Sequence, residues 1–140
     1  MSYRTTLDTL PLAAADRLAD LAIAEASARG HRICIAVVDI AGQLLAFRRM
    51  DGAVPVAIEV AIGKARTSAL FRKPLHLFEG MIDAGKASML SVPGAVPLSG
   101  GVPVTIDGDV LGAIGVSGAA GEEDEAMAQA VLAAFAGAAA

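Results

Sequence analysis

Between Val102 and Ser117, two apolar runs are separated only by Asp107-Gly108. Asp-Gly supplies the positive φ angles that a tight primed turn needs, so 102–106 and 109–117 are predicted to pair as an antiparallel hairpin. This hairpin constrains the rest of the chain. A sheet containing it must bury its apolar residues against something, and the segments on either side carry helical periodicity.

Residues 11–29 read as a helix, with Thr9 as its cap, Pro11 in its first turn and Gly30 as its stop. Leu18, Leu21, Ala22 and Ala26 share one face of it. Residues 32–39 are β-branched and almost wholly apolar, which suits a central strand. Residues 40–42 turn the chain, and 43–50 return as a second strand of a hairpin. Asp51 is read as the cap of a helix over 55–71, on which Glu59 and Arg66 mark the wet face. A short helix is expected over 75–84. Residues 85–101 read as loop with one short edge strand near 95–98, and 122–135 as a last helix with acids in its first turn. The tail 136–140 is expected to fray. No linker or repeat divides the chain, so 1–140 is read as a single α+β layer domain, a mainly antiparallel sheet of about five strands flanked by helices.

Composition narrows the classes of function. The chain has 140 residues, 55% of them apolar but only 4% aromatic, so the core must close around small side chains. A net charge of -4 gives no field with which to displace counterions from nucleic acid. No window is long and apolar enough to span a membrane, and charged residues interrupt the start of the chain, arguing against an export leader. Cys34 is the one cysteine; it cannot form an internal disulfide and suits a reducing cytoplasm. Cys34, His31 and His76 do not have zinc-type spacing. So much apolar content in so small a chain points to a homo-oligomer.

Four constellations bear on chemistry. Lys64 lies about 140° around its helix from Glu59, among Ala57, Val60, Ala61 and Ser68. It is either paired with a carboxylate or aimed into a pocket as an anion contact or base. Arg48 and Arg49 face opposite sides of a strand, so one can reach a ligand. Gly100-Gly101, next to Val102, either make an ordinary turn or offer backbone amides to an anion. The glycines at 112, 115 and 118 do not have nucleotide-loop spacing and are read as permitting close helix-on-sheet packing. His31 and His76 are the remaining candidates for a metal or haem iron.

IAVVDIAGQLLAFRRMDGA (35–53), IGKARTSALF (62–71), LSGGVPVTIDGDVLGAIGVSGA (98–119) and EEDEAMAQA (122–130) together resemble the GlcG/HbpS family, which includes the C-terminal domain of PduO-type proteins. The resemblance runs from about Leu10 to Phe135. It implies a profilin-like or Roadblock-like fold, assembly into dimers and octamers, a pocket near a subunit boundary and, in some relatives, haem. The matching positions include Asp39, Arg49, Lys64, Thr67, Gly100, Gly101 and Asp124.

Two functions follow as expectations. One is a protein binding haem or a related tetrapyrrole, an anionic small molecule. In it Arg49 or Lys64 holds a propionate, Thr67, Gly100, Gly101 and Val102 line the site, and His31 or His76 reaches iron. The other is a cofactor-independent isomerase, hydratase or lyase acting on a small carboxylated metabolite. There Lys64 is the base, the Gly100 and Gly101 amides hold an oxyanion, and Asp124 or Asp39 moves a proton.

Overall fold

The computed structural model describes residues 1–139, with side chains through residue 137. Four strands form one antiparallel sheet in the order β2-β1-β4-β3: β1 is Cys34–Asp39, β2 Leu44–Arg49, β3 Gly101–Ile106 and β4 Asp109–Ser117. The β3–β4 hairpin turns at Asp107 (φ 51°) and Gly108 (φ 85°), the two left-handed residues that a tight primed turn requires.

The sheet is covered on both faces. Ile33, just ahead of β1, and Ile35 and Val37 within it, with Val102, Val104, Ile114 and Val116, face one side. They meet Leu18 and Ala22 of α1 (Leu12–Ala28) and Met127 and Val131 of α4 (Gly121–Ala139). The alternate residues Cys34, Ala36, Val38 and Ala113 face α2 (Ala57–Phe71). Because both faces are buried, β1 is apolar from Cys34 to Val38 rather than alternating.

On α2, alanines at 57, 61, 65 and 69 recur every fourth residue and make a smooth stripe against the sheet. Gly115 lies under it. A methyl group there would come within 2.1 Å of the Ala61 carbonyl oxygen, so helix and sheet approach as closely as two backbones allow. The small side chains of the composition are concentrated in this layer. Glu59 and Arg66 are exposed on the outer side, as expected.

Three expectations are corrected. The sheet has four strands, not about five, because the backbone of 95–98 is satisfied elsewhere. Val96 donates to Thr67 Oγ1 (2.9 Å), Leu98 to the Val96 carbonyl (3.0 Å), and Ser99 to Glu79 Oε2 (3.1 Å). Thr9 does not cap α1; the N-cap is Pro11, and the Thr9 hydroxyl accepts the Ile40 amide instead (3.0 Å). Asp51 caps no helix, since α2 starts six residues later, after a turn at 51–56. The last helix, α4, is described to Ala139, and Ala140 of the expected frayed tail lies outside the described residues. A short helix α3 (Leu75–Asp83) and a 3₁₀ turn over Ala87–Ser91 complete the chain.

Candidate functional site

Lys64 belongs to the sheet-facing side of α2 and is only 3% exposed. Its ammonium donates to the Val116 carbonyl at 2.9 Å and to Asp124 Oδ2 at 3.0 Å. Asp124 is equally buried, and its other oxygen accepts the Ala119 amide at 3.0 Å. Burial pushes the Asp124 carboxyl above its ordinary range, opposed by the Lys64 ammonium and by the amides of Ala119 and Gly118. Of the two sequence readings of Lys64, the carboxylate-paired one describes the molecule.

The paired glycines lie close by, as the sequence reading required. A Cβ on Gly100 would stand 2.9 Å from Lys64 Nζ. The Gly100 amide, however, is not open to a guest. Gly100 donates to Glu125 Oε2 at 3.2 Å, and the neighbouring Ser99 donates through both its amide and its hydroxyl to Glu79 Oε2. Gly101 begins β3, against Leu75 and the Lys64 carbonyl. Two carboxylates of the protein therefore hold the corner where an oxyanion was expected. Val102 is buried on the α4 face of β3.

Asp39 does not join this group. It pairs with Gly112, whereas Lys64 bonds Val116; at about 3.3 Å per residue the two sites are more than 10 Å apart along β4. Asp39 Oδ1 instead accepts the Ala41 and Gln43 amides, both at 2.9 Å, and so builds the β1–β2 turn. Thr67 is 3% exposed and donates to the Gly63 carbonyl while accepting Val96, which pins the 92–98 loop to α2.

The first turn of α4 is what the sequence reading missed. Its successive acids reach two imidazoles and an ammonium on three different segments of the chain. Glu123 Oε2 is 2.7 Å from His31 Nε2, Asp124 meets Lys64, and Glu125 Oε1 is 2.9 Å from His76 Nδ1. The run of acids at 122–125 is the available signal; the sequence reading singles out Asp124 alone and gives the others to the helix dipole.

His31 stands apart from the other candidates. Its ring is partly exposed, and Nδ1 has no hydrogen-bond partner among the described residues. The next residue, Arg32, is exposed against Gly52, and Arg49 is exposed at the end of β2, opposite Cys34. Among the described residues neither guanidinium forms a salt bridge. Arg48, on the opposite face, is 3.7 Å from both Asp16 and Asp20. One end of the sheet thus carries an imidazole with an open nitrogen and two free guanidiniums. No cluster of three metal-ligating side chains occurs among the described residues, nor any helix long and apolar enough to cross a membrane.

Comparison with known proteins places these features in context. The family described as haem degrading protein HbpS-like matches residues 10–133. Protein GlcG of Escherichia coli is 42% identical over 93 residues, 66% of this chain and 69% of that protein. The crystal structure of a double mutant of HbpS from Streptomyces reticuli superposes with a TM-score of 0.87 at 35% identity, covering 94% of this chain and 90% of that one. The crystal structure of a PduOC:haem complex superposes with a TM-score of 0.80 at 27% identity, covering 90% and 94%.

Proposed function

Because this chain belongs to the HbpS-like family, we propose that it is a small-molecule-binding protein whose ligand is haem or a related tetrapyrrole. The observation that carries the reading is His31, with Nδ1 open, beside Arg32 and Arg49 at one end of the sheet.

The residues present fit the group. Haem iron takes an imidazole as axial ligand. A carboxylate near the other ring nitrogen helps orient such an imidazole, and Glu123 Oε2 lies 2.7 Å from Nε2. Guanidinium groups bind carboxylates through paired, charge-assisted hydrogen bonds, which suits Arg32 and Arg49 to propionates. Val54 and Val56, 52% and 64% exposed beyond the end of β2, offer apolar surface for a flat ring. When bound, haem would supply redox or gas-ligand chemistry; the protein's part is to hold it and orient its iron ligand.

In this reading Lys64, engaged by Asp124 and by the Val116 carbonyl, locks α2 to α4, and the anion contact passes to Arg49. We further propose that the whole chain is one domain, working as a homo-oligomer between dimer and octamer in the cytoplasm. The free, buried Cys34 suits that compartment.

Titrating apo-protein with hemin tests the reading. A shifted Soret band at stoichiometric hemin is expected. His31→Ala should abolish the histidine-ligated spectrum, Arg49→Glu should weaken binding about tenfold, and His76→Ala should change neither. An unshifted band, or spectra indifferent to both His31→Ala and Arg49→Glu, overturns the assignment.

A further inference from the structure

Residues 1–9 are all exposed and belong to no helix or strand. The first backbone bond joining them to the body is from the Leu10 amide to the Leu111 carbonyl, at 3.0 Å. Yet the segment alternates. Met1, Tyr3, Thr5 and Leu7 fall on one side, and Ser2, Arg4, Thr6 and Asp8 on the other. That is the pattern of a half-buried strand, rich in strand-forming Tyr and Thr. Met1, Tyr3 and Leu7 nevertheless stand 107%, 98% and 73% exposed, an apolar face with nothing against it.

A complementary surface lies on the same chain. β3 is an edge strand, and beside it runs a groove of about 650 Å³ whose apolar wall includes Val104, Ile106, Leu132 and Phe135. Asp107 is the one charged residue lining it, and Arg4 is the one cationic side chain of the segment. Pro103 leaves that stretch of edge short of one donor, so an added strand would be held by its side chains more than by a full ladder.

We propose that residues 1–8 of one copy lie along β3 of a second copy, with Tyr3 and Leu7 in the groove and Arg4, on the other side of the added strand, reaching Asp107 around the hairpin tip. A second copy is the occupant rather than the chain itself. Thr6, Leu7 and Asp8 border a hollow with Ile40 and Arg72, which holds the root of the segment on the α2 side of the hairpin tip. The groove opens on the α4 side. Reciprocal exchange forms the contact twice about a two-fold axis. The proposal supplies a contact for the homo-oligomer part of the reading above and is independent of haem.

Tyr3 is the only tyrosine and there is no tryptophan, so its emission reports this segment alone. Acrylamide quenching, measured beside sedimentation across a concentration series, should fall severalfold as the protein self-associates. Deleting residues 1–8 should weaken self-association at least tenfold while leaving the circular dichroism and hemin binding unchanged. Leu132→Glu, or Ile106→Lys at a more exposed position, should do the same from the groove side. The proposal is overturned by a chain that is monomeric at every concentration, or by a tyrosine quenched equally in all states. Protection of Tyr3 that persists in dilute monomer, or an assembly that survives the deletion, overturns it equally.

Discussion

The ammonium of Lys64 lies 3.0 Å from Asp124 Oδ2, and both side chains are sealed from solvent between α2 and α4. Removing one partner of such a pair strands the other in a poor solvent, whereas replacing both with apolar groups is close to neutral. Lys64→Met is therefore expected to lower the unfolding free energy by about 3–5 kcal/mol in urea denaturation. Adding Asp124→Leu to that variant should recover about 2 kcal/mol, a departure from additivity that a double-mutant cycle reads directly. Strict additivity would show that the two groups do not act as a pair.

Asp124 also sets a pH dependence. Burial, the largest influence on it, raises its folded pKa above the unfolded value despite the attraction of Lys64 and two amides. The native state thus binds this proton more tightly than the unfolded chain. The group's contribution to stability is full below the unfolded pKa and is lost as the pH rises through the folded one. Asp124→Asn deletes the effect. The unfolding free energy of the wild type minus that of Asp124→Asn should fall as the pH is raised from about 3.5 to about 7. A difference that rises over that range would mean that Lys64 and the amides outweigh burial.

Gly115 and Gly80 make opposite predictions. A methyl at 115 would meet the Ala61 carbonyl at 2.1 Å and the Ala65 amide nitrogen at 2.7 Å, both of them backbone atoms that cannot swing aside. Gly115→Ala should cost about 1–3 kcal/mol or more by overpacking. Gly80 lies within α3 with nothing within 4 Å of a built Cβ, so Gly80→Ala should stabilise by about 0.5–1 kcal/mol through helix propensity. Thermal unfolding of the two variants side by side checks both signs.

The same contrast explains what could be read from the sequence. Periodicity and turn chemistry are local, and they located α1, both hairpins, α2, α3 and α4 to within a few residues. The packing role of Gly115 was legible because its spacing ruled out a phosphate loop. The supposed strand at 95–98 failed because its donors go to Thr67 and to turn carbonyls, and Glu79 takes the amide just beyond it; none of this leaves a periodic trace. Lys64 was recognisable as facing inward, but its partner is 60 residues away on α4. Nothing in the spacing distinguished Asp124 from Asp39, which closes a turn at the other end of the sheet. Glu79 and Glu125 were missed for the same reason: their carboxylates fill the Ser99-Gly100 corner only after α3 and α4 have folded against β3.

Glu123 tests how far the helix that organises this cluster also governs the ligand. It holds His31 Nε2 at 2.7 Å, while its neighbour Glu125 holds His76 at 2.9 Å; the two pairs sit on the same helical turn. If His31 presents Nδ1 to a metal centre, Glu123, close to the other ring nitrogen, is placed to orient the ring. Losing such a partner typically weakens metal binding about 10- to 100-fold. Glu123→Gln keeps the size of the side chain and removes its charge. It should weaken hemin binding by about tenfold or more and shift the Soret maximum away from the wild-type position. Glu125→Gln loosens His76 and the Gly100 corner instead, and should alter stability with hemin affinity unchanged. Equal effects of the two substitutions on affinity would mean that the acidic turn acts through the fold as a whole, and would remove Glu123 from the site.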